Sequence, residues 1–410
     1  MPPELLTHIF ESIPSHPFND HVAILASLCL VNHHFLQIAR PLLYRQIQLD
    51  FDDEWTIVNQ ETYLLSGTLA TVRSCLKAVR NLHLSFCGRA HYCEGFGRWP
   101  GMLMGLGQLD SISASWEGAH DSLAEWSVSD VDWDEAKRIL GAVEEAFIDG
   151  VIEHQADLKC LELAYVEELD YGAFLSIFAH LTRLETFVVD KLPFYPYCKR
   201  VPLDAVCHLR RLVLKSAFEP STLQHILRSS QTSLTSLAFP FDTKDLPLDL
   251  SCLSTLSDFH LSILPDEAGP IPADHAFTAI LRRLKKFILE TLRPTLNSLN
   301  SLPLNNLSIA TECPVLQPLL KLIPILDLVP PSLARLQVPS FFFEPASPND
   351  SILFDAIKSQ SLPCLRVLSV SPSTDLQNTV FLVGLREKCR AFGIELRYRG
   401  ERSTGILDSR

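Results

Sequence analysis

This 410-residue chain has no Cys-x-x-Cys pair, no long apolar run and no excess of basic charge. Its eleven cysteines are scattered, which excludes a secreted disulfide framework and a zinc ribbon; they read as reduced, mostly buried thiols of an intracellular protein. The best apolar stretch, Leu316 to Val329, is broken by Gln317, Pro318, Lys321, Pro324 and Asp327, so no membrane helix is expected. With 35 Lys and Arg against 48 Asp and Glu, the net charge is −13, and nucleic-acid binding, which needs a basic face, is not expected. Glycine is sparse, 16 against 27 prolines, which excludes collagen-like and low-complexity chains. The N-terminus has no basic and apolar leader, so the expected location is intracellular, cytoplasmic or nuclear.

Motifs for chemistry are missing as well. No P-loop, G-x-G-x-x-G, G-x-S-x-G or H-E-x-x-H is present. His83, Cys87, His91 and Cys93 form the one metal-like grouping, but their spacing fits no zinc module, and Leu84 and Phe86 read as a packed strand. No catalytic residue, cofactor or metal site is assigned.

What is present begins with 47% hydrophobic residues, ample for a buried core. Leu5, Leu6, Ile9, Phe10 and Ile13 recur at helical spacing; Pro2, Pro3 and Glu4 suit the start of that helix and Pro14 its end. A second apolar stretch runs from Val22 to Val31. Asn32 then caps a third helix, with Phe35, Ile38, Ala39 and Leu42 on one face. Three helices in so short a segment bury too little surface to stand alone, so they must dock on their own chain, on a partner, or on both.

The residue order adds to this. Met1-Pro2-Pro3-Glu4-Leu5-Leu6-Thr7-His8-Ile9-Phe10, then Leu28-Cys29-Leu30-Val31-Asn32-His33-His34-Phe35, then Ala39-Arg40-Pro41-Leu42-Leu43-Tyr44-Arg45, resembles an F-box. Met1 stands where that family has Leu, a volume-conserving exchange. The resemblance implies binding to a Skp1-like adaptor, and through it to a cullin scaffold. Matched residue by residue, it implies that Pro2, Leu5, Leu6, Ile9, Phe10, Leu28, Val31 and Phe35 face the adaptor, each with an alternative role in packing between the helices.

After Tyr44 the pattern changes. Ile47, Leu49 and Phe51 alternate as in a strand, and a helical stretch follows from Val58 to Val79. L-x-x-L-x-L triplets then recur, beginning at 79, 158, 184, 209, 234, 256, 284, 304, 333 and 365. A template this loose arises often by chance, so the spacing has to decide. From 158 onward the starts are 26, 25, 25, 22, 28, 20, 29 and 32 residues apart, close to the ~20–29 of leucine-rich repeats. Helices are read between them at Tyr171–Leu181, Pro220–Arg228 and His275–Lys286. This body resembles the repeat half of F-box/leucine-rich-repeat proteins; a compact parallel α/β domain is the alternative.

The expected architecture is therefore α/β. A small three-helix F-box at 1–45 precedes an irregular leucine-rich-repeat-like solenoid with a parallel sheet at 46–399, and 400–410 form a disordered tail. Residues 110–170 hold 17 Asp or Glu and 3 Lys or Arg, with three of the five Trp. They read as an acidic insertion at about 110–157, including a helix from Asp134 to His154, and serve either as a surface for a basic partner or as a solvated segment with its Trp rings turned inward.

Alternation along each strand gives one outward row of Asn81, Cys160, Thr186, Arg211, Ser236, Asp258, Lys286, Asn306 and Arg335. A second row is His83, Glu162, Val188, Val213, Ala238, His260, Ile288, Ser308 and Gln337. Glu162, Val188, Asp190, Arg211, Val213, Lys215, His260 and Lys286 are the candidates for holding a protein target, with Val188 and Val213 as an apolar anchor between charges. The resemblance implies a non-catalytic substrate receptor of a cullin ubiquitin ligase. A ligase-independent interaction scaffold and an enzyme with an unrecognised site are the alternatives.

Overall fold

Alternating apolar residues become strands wherever one face of the chain is covered. The structure, a computed structural model, describes residues 3–11, 18–51, 77–86, 103, 106–116, 133–166, 171–190, 208–215, 220–241, 248–263, 288–311, 330–339, 355, 362–371 and 379–398. The chain divides into two units, Met1–Cys207 and His208–Arg410.

The first unit opens with α1 (Pro3–Glu11), α2 (Phe18–Cys29) and α3 (His33–Leu43). Asn32 caps α3 as its sequence position predicts: its Oδ1 accepts the Phe35 backbone N–H at 2.8 Å. Leu6, Phe10, Leu25 and Ala39 form a small core, against which Leu28, Phe35, Ile38 and Leu42 pack. Pro41 sits inside α3 without ending it.

Strands β1 (Gln46–Phe51), β2 (Asn81–Phe86), β3 (Ser111–Ser115), β4 (Cys160–Ala164) and β5 (Thr186–Val189) follow in sequence order. Each pairs in parallel with the next. The long helix α4 (Trp133–His154) lies between β3 and β4, and α5 (Tyr171–His180) between β4 and β5. Ile112, Leu161, Leu163, Phe187 and Val189 are buried, while the residues between them are partly exposed or exposed.

The second unit repeats the plan. Strands β6 (Arg211–Leu214), β7 (Ser236–Phe241), β8 (Asp258–Ile263), β9 (Asn306–Thr311), β10 (Arg335–Pro339), β11 (Val367–Ser371) and β12 (Glu395–Tyr398) are parallel and lie in sequence order. Helices α6 (Pro220–Ser229), α7 (Arg293–Asn297) and α8 (Thr379–Ala391) lie on the connections. Gly393, at φ +70°, closes α8: the Ile394 N–H reaches the Cys389 carbonyl at 2.9 Å.

One device recurs at the strand entries of both units. The carbonyl just before a strand accepts two successive N–H groups from the next strand's entry. Arg45 O takes Arg80 and Asn81, Arg80 O takes Asp110 and Ser111, Asp110 O takes Lys159 and Cys160, and Lys159 O takes Glu185 and Thr186. In the second unit, Arg210, Thr235, Ser257, Asn305 and Ala334 do the same. Such a clamp fixes the register of each strand from its predecessor.

Several expectations are corrected. The strand expected at 284–289 is not found where the chain is described: Ile288–Leu292 is a π-helical turn, β8 pairs directly with β9, and 284–287 lie outside the described residues. Ile288 therefore leaves the outward row, and Lys286 lies outside the described residues. The stretch from 110 is not wholly an insertion, because Ser111–Ser115 pairs with β2 on one side and β4 on the other. The helix expected at Asp134–His154 is present as α4. The helices expected at 58–79 and 275–286, and the tail 400–410, fall mainly or wholly outside the described residues.

Candidate protein-interaction surfaces

Helix α1 carries two apolar stripes, each with a spacing of four residues. Leu6 and Phe10 turn into the bundle core, at 7% and 4% exposure. Leu5 and Ile9 are on the adjacent stripe and remain 49% and 44% exposed. Ile24 on α2 is 45% exposed, and Leu30 and Val31, in the turn after α2, are 88% and 59% exposed. Burying an aliphatic side chain of this size stabilises by ~1.5–3 kcal/mol, so each of these positions has free energy to gain from being covered.

The eight residues expected to face an adaptor divide accordingly. Leu5, Ile9 and Val31 are exposed. Leu6 and Phe10 are internal, and Leu28 and Phe35 are half-buried against the same core, so these four hold the helices together. Pro2 lies outside the described residues. Sequence reasoning missed Ile24 and Leu30, although both sit in the apolar stretch that marks the second helix.

The strand rows form the second kind of surface. In the first unit, Asn81, Ser111, Cys160 and Thr186 are in register, as are His83, Ser113, Glu162 and Val188. Ser111 Oγ donates to Asn81 Oδ1 at 2.9 Å, tying two members of one row together. Glu162 is exposed; Val188 and Asp190 are half-buried. In the second unit, Arg211, Ser236, Asp258, Asn306, Arg335, Val367 and Glu395 are in register, as are Val213, Ala238, His260, Ser308, Gln337, Ser369 and Arg397. Asn306 Nδ2 donates to Asp258 Oδ1. Arg211 and His260 are half-buried and Lys215 is exposed.

Val213 overturns one part of this expectation. It is 1% exposed and its row neighbour Ala238 only 6%. Both faces of β6 are covered, so Val213 is a core residue and cannot anchor a target. The alternation rule fails here because it assumes that the second face of the sheet meets water.

The acidic stretch also turns inward in part. Trp116 is 1% exposed and its ring meets Phe147 of α4 edge-on, with centroids 5.5 Å apart. Burial pushes up the thiols of Cys29, Cys252 and Cys389, the last to about 11. Among the described residues no helix is long and apolar enough to cross a membrane, and no His, Cys, Asp or Glu cluster could hold a metal ion. Cys87, His91 and Cys93 lie outside them.

No model of a known protein family matches the chain, and no curated protein is significantly similar to it.

Proposed function

We propose that the protein is a substrate receptor of a cullin-based ubiquitin ligase, its N-terminal helices binding a Skp1-like adaptor and its strand faces holding a target protein. One observation carries this reading. The helical trio closes its own core with Leu6, Phe10, Leu25 and Ala39, yet leaves Leu5, Ile9, Ile24, Leu30 and Val31 outside it. A segment with this F-box-like order of residues needs a partner to cover that second stripe. The function is proximity: the protein breaks no bond, but raises the local concentration of a target lysine near the ubiquitin-charged enzyme.

Target contacts fall to exposed and half-exposed residues on or beside the strands of each unit taken by itself: Glu162, Val188 and Asp190 in the first, Arg211, Lys215 and His260 in the second. Their charges are mixed, which suits a partner with a polar rim rather than one of a single sign. The test is capture of the purified adaptor by the full chain. Ile9→Glu with Val31→Glu alters two exposed positions, so the helices keep their circular dichroism while capture is lost. Capture by the folded double variant at wild-type level rejects the assignment and leaves the interaction-scaffold reading in its place.

A further inference from the structure

The last strand of the second unit presents an edge that fits a copy of itself. Strand β12 pairs with β11 on one side, and among the described residues no strand covers its other side. The Glu395 N–H donates to the Arg366 carbonyl at 2.8 Å, so the main chain of Glu395 faces β11. Successive residues of a strand turn their N–H and C=O groups to opposite edges, which leaves those of Leu396 facing outward.

An antiparallel partner centred on Leu396 therefore exchanges two main-chain hydrogen bonds with it, Leu396 to Leu396. The same placement sets Glu395 directly across from Arg397 of the second strand, and Arg397 across from its Glu395. These two side chains lie on one face of β12, where Arg397 Nε and Nη2 grip the Glu395 carboxylate at 2.9 and 3.0 Å. Both are exposed, and Arg397 holds the Glu395 carboxyl below the usual carboxylate range, with a smaller pull from Arg335. Glu-Leu-Arg is thus self-complementary in the antiparallel sense, and its charges, which would block most strands from an open edge, admit this one.

Two exposed apolar side chains stand on the elements that precede β12. Among the described residues of the second unit, the large hydrophobic side chains left exposed are Val383, at 53%, and Phe392, at 37%. Val383 lies on α8, and Phe392 in the turn that leads directly into β12. Exposed apolar side chains of this size gain from being covered by a partner.

We infer that the protein forms a two-fold symmetric dimer by antiparallel pairing of β12 with β12 of a second copy. This does not depend on the ligase reading, since it uses no residue of the N-terminal helices. The competing occupant is an acidic strand from another protein, drawn by exposed Arg386, Lys388 and Arg390 on α8. The test is sedimentation velocity on the full chain over a concentration series. The wild type is expected to dimerise reversibly. Glu395→Arg and Arg397→Glu each set like charges opposite one another at two symmetric positions and should weaken the dimer by about tenfold or more. The double swap, Glu395→Arg with Arg397→Glu, restores complementarity and should restore the dimer. Unchanged circular dichroism checks that each variant is folded. A wild type that stays monomeric throughout overturns the inference, as does a dimer indifferent to both single reversals.

Discussion

The rings of Phe10 and Phe35 meet edge to face, 5.4 Å between centroids at an interplanar angle of 76°. This contact joins α1 to α3 and sets the bundle core apart from its outer stripe. Phe10→Ala removes a buried aromatic and is expected to cost ~3–5 kcal/mol of local stability. Leu5→Ala, on the half-exposed stripe, should cost less than ~1 kcal/mol. Amide exchange across α1, α2 and α3 separates the two, because it reads the bundle alone. Equal loss of protection in both variants would mean that the division between the stripes is mistaken.

Gln155 is a buried polar bracket. At 1% exposure, its Oε1 accepts the Leu109 N–H at 2.9 Å, while Nε2 donates to the carbonyls of Leu103 and Gly107 at 3.3 and 3.4 Å. It ties the end of α4 to the chain entering β3, more than forty residues earlier. Gln155→Leu keeps much of the volume but strands these backbone groups, at an expected cost of ~1–3 kcal/mol. The specific readout is faster exchange of the Leu109 amide; an amide as protected as in the wild type would show that another group takes over.

Cys389 gives a pH dependence with a definite sign. Burial raises its thiol from 9.0 to about 11 in the folded chain. Below pH 9.0 the thiol is protonated in both states and its contribution to stability is complete. As pH rises from there through about 11, the unfolded chain loses the proton first, and the contribution is lost. Thermal melts of the wild type should therefore fall more steeply across this window than those of Cys389→Ala. Parallel curves for the two proteins would contradict the burial argument.

Much of this fold was legible in the chain. The triplets at 158, 184, 209, 234, 256, 304, 333 and 365 all mark strands, because Leu, Phe and Val at period two leave one dry face. Strand β3 escaped because Ala114 stands at its third inward position, where the template asks for a larger residue. Ile288 was misread because a short apolar-rich stretch carries no information on whether it turns at period two or winds as a helix. At the surfaces, composition placed the apolar stripe on α1 but could not divide it, since Leu5 and Leu6 are the same residue in opposite environments. Val213 was unreadable for the converse reason: burial of the second face of a strand is a property of what lies over it.

The shared carbonyl at each strand entry has a consequence for how this chain can vary over evolutionary time. Within each unit, a strand entered through this device takes its alignment from one acceptor just before its predecessor, so an error in one connection is not passed to the next. The connection from β3 to β4 holds a long helix, while that from β7 to β8 is short, yet Ser111 meets Cys160 and Ser236 meets Asp258 in the same register. Insertions and deletions are therefore absorbed one connection at a time, and the chain can lose the regular period of its repeats while every strand stays aligned.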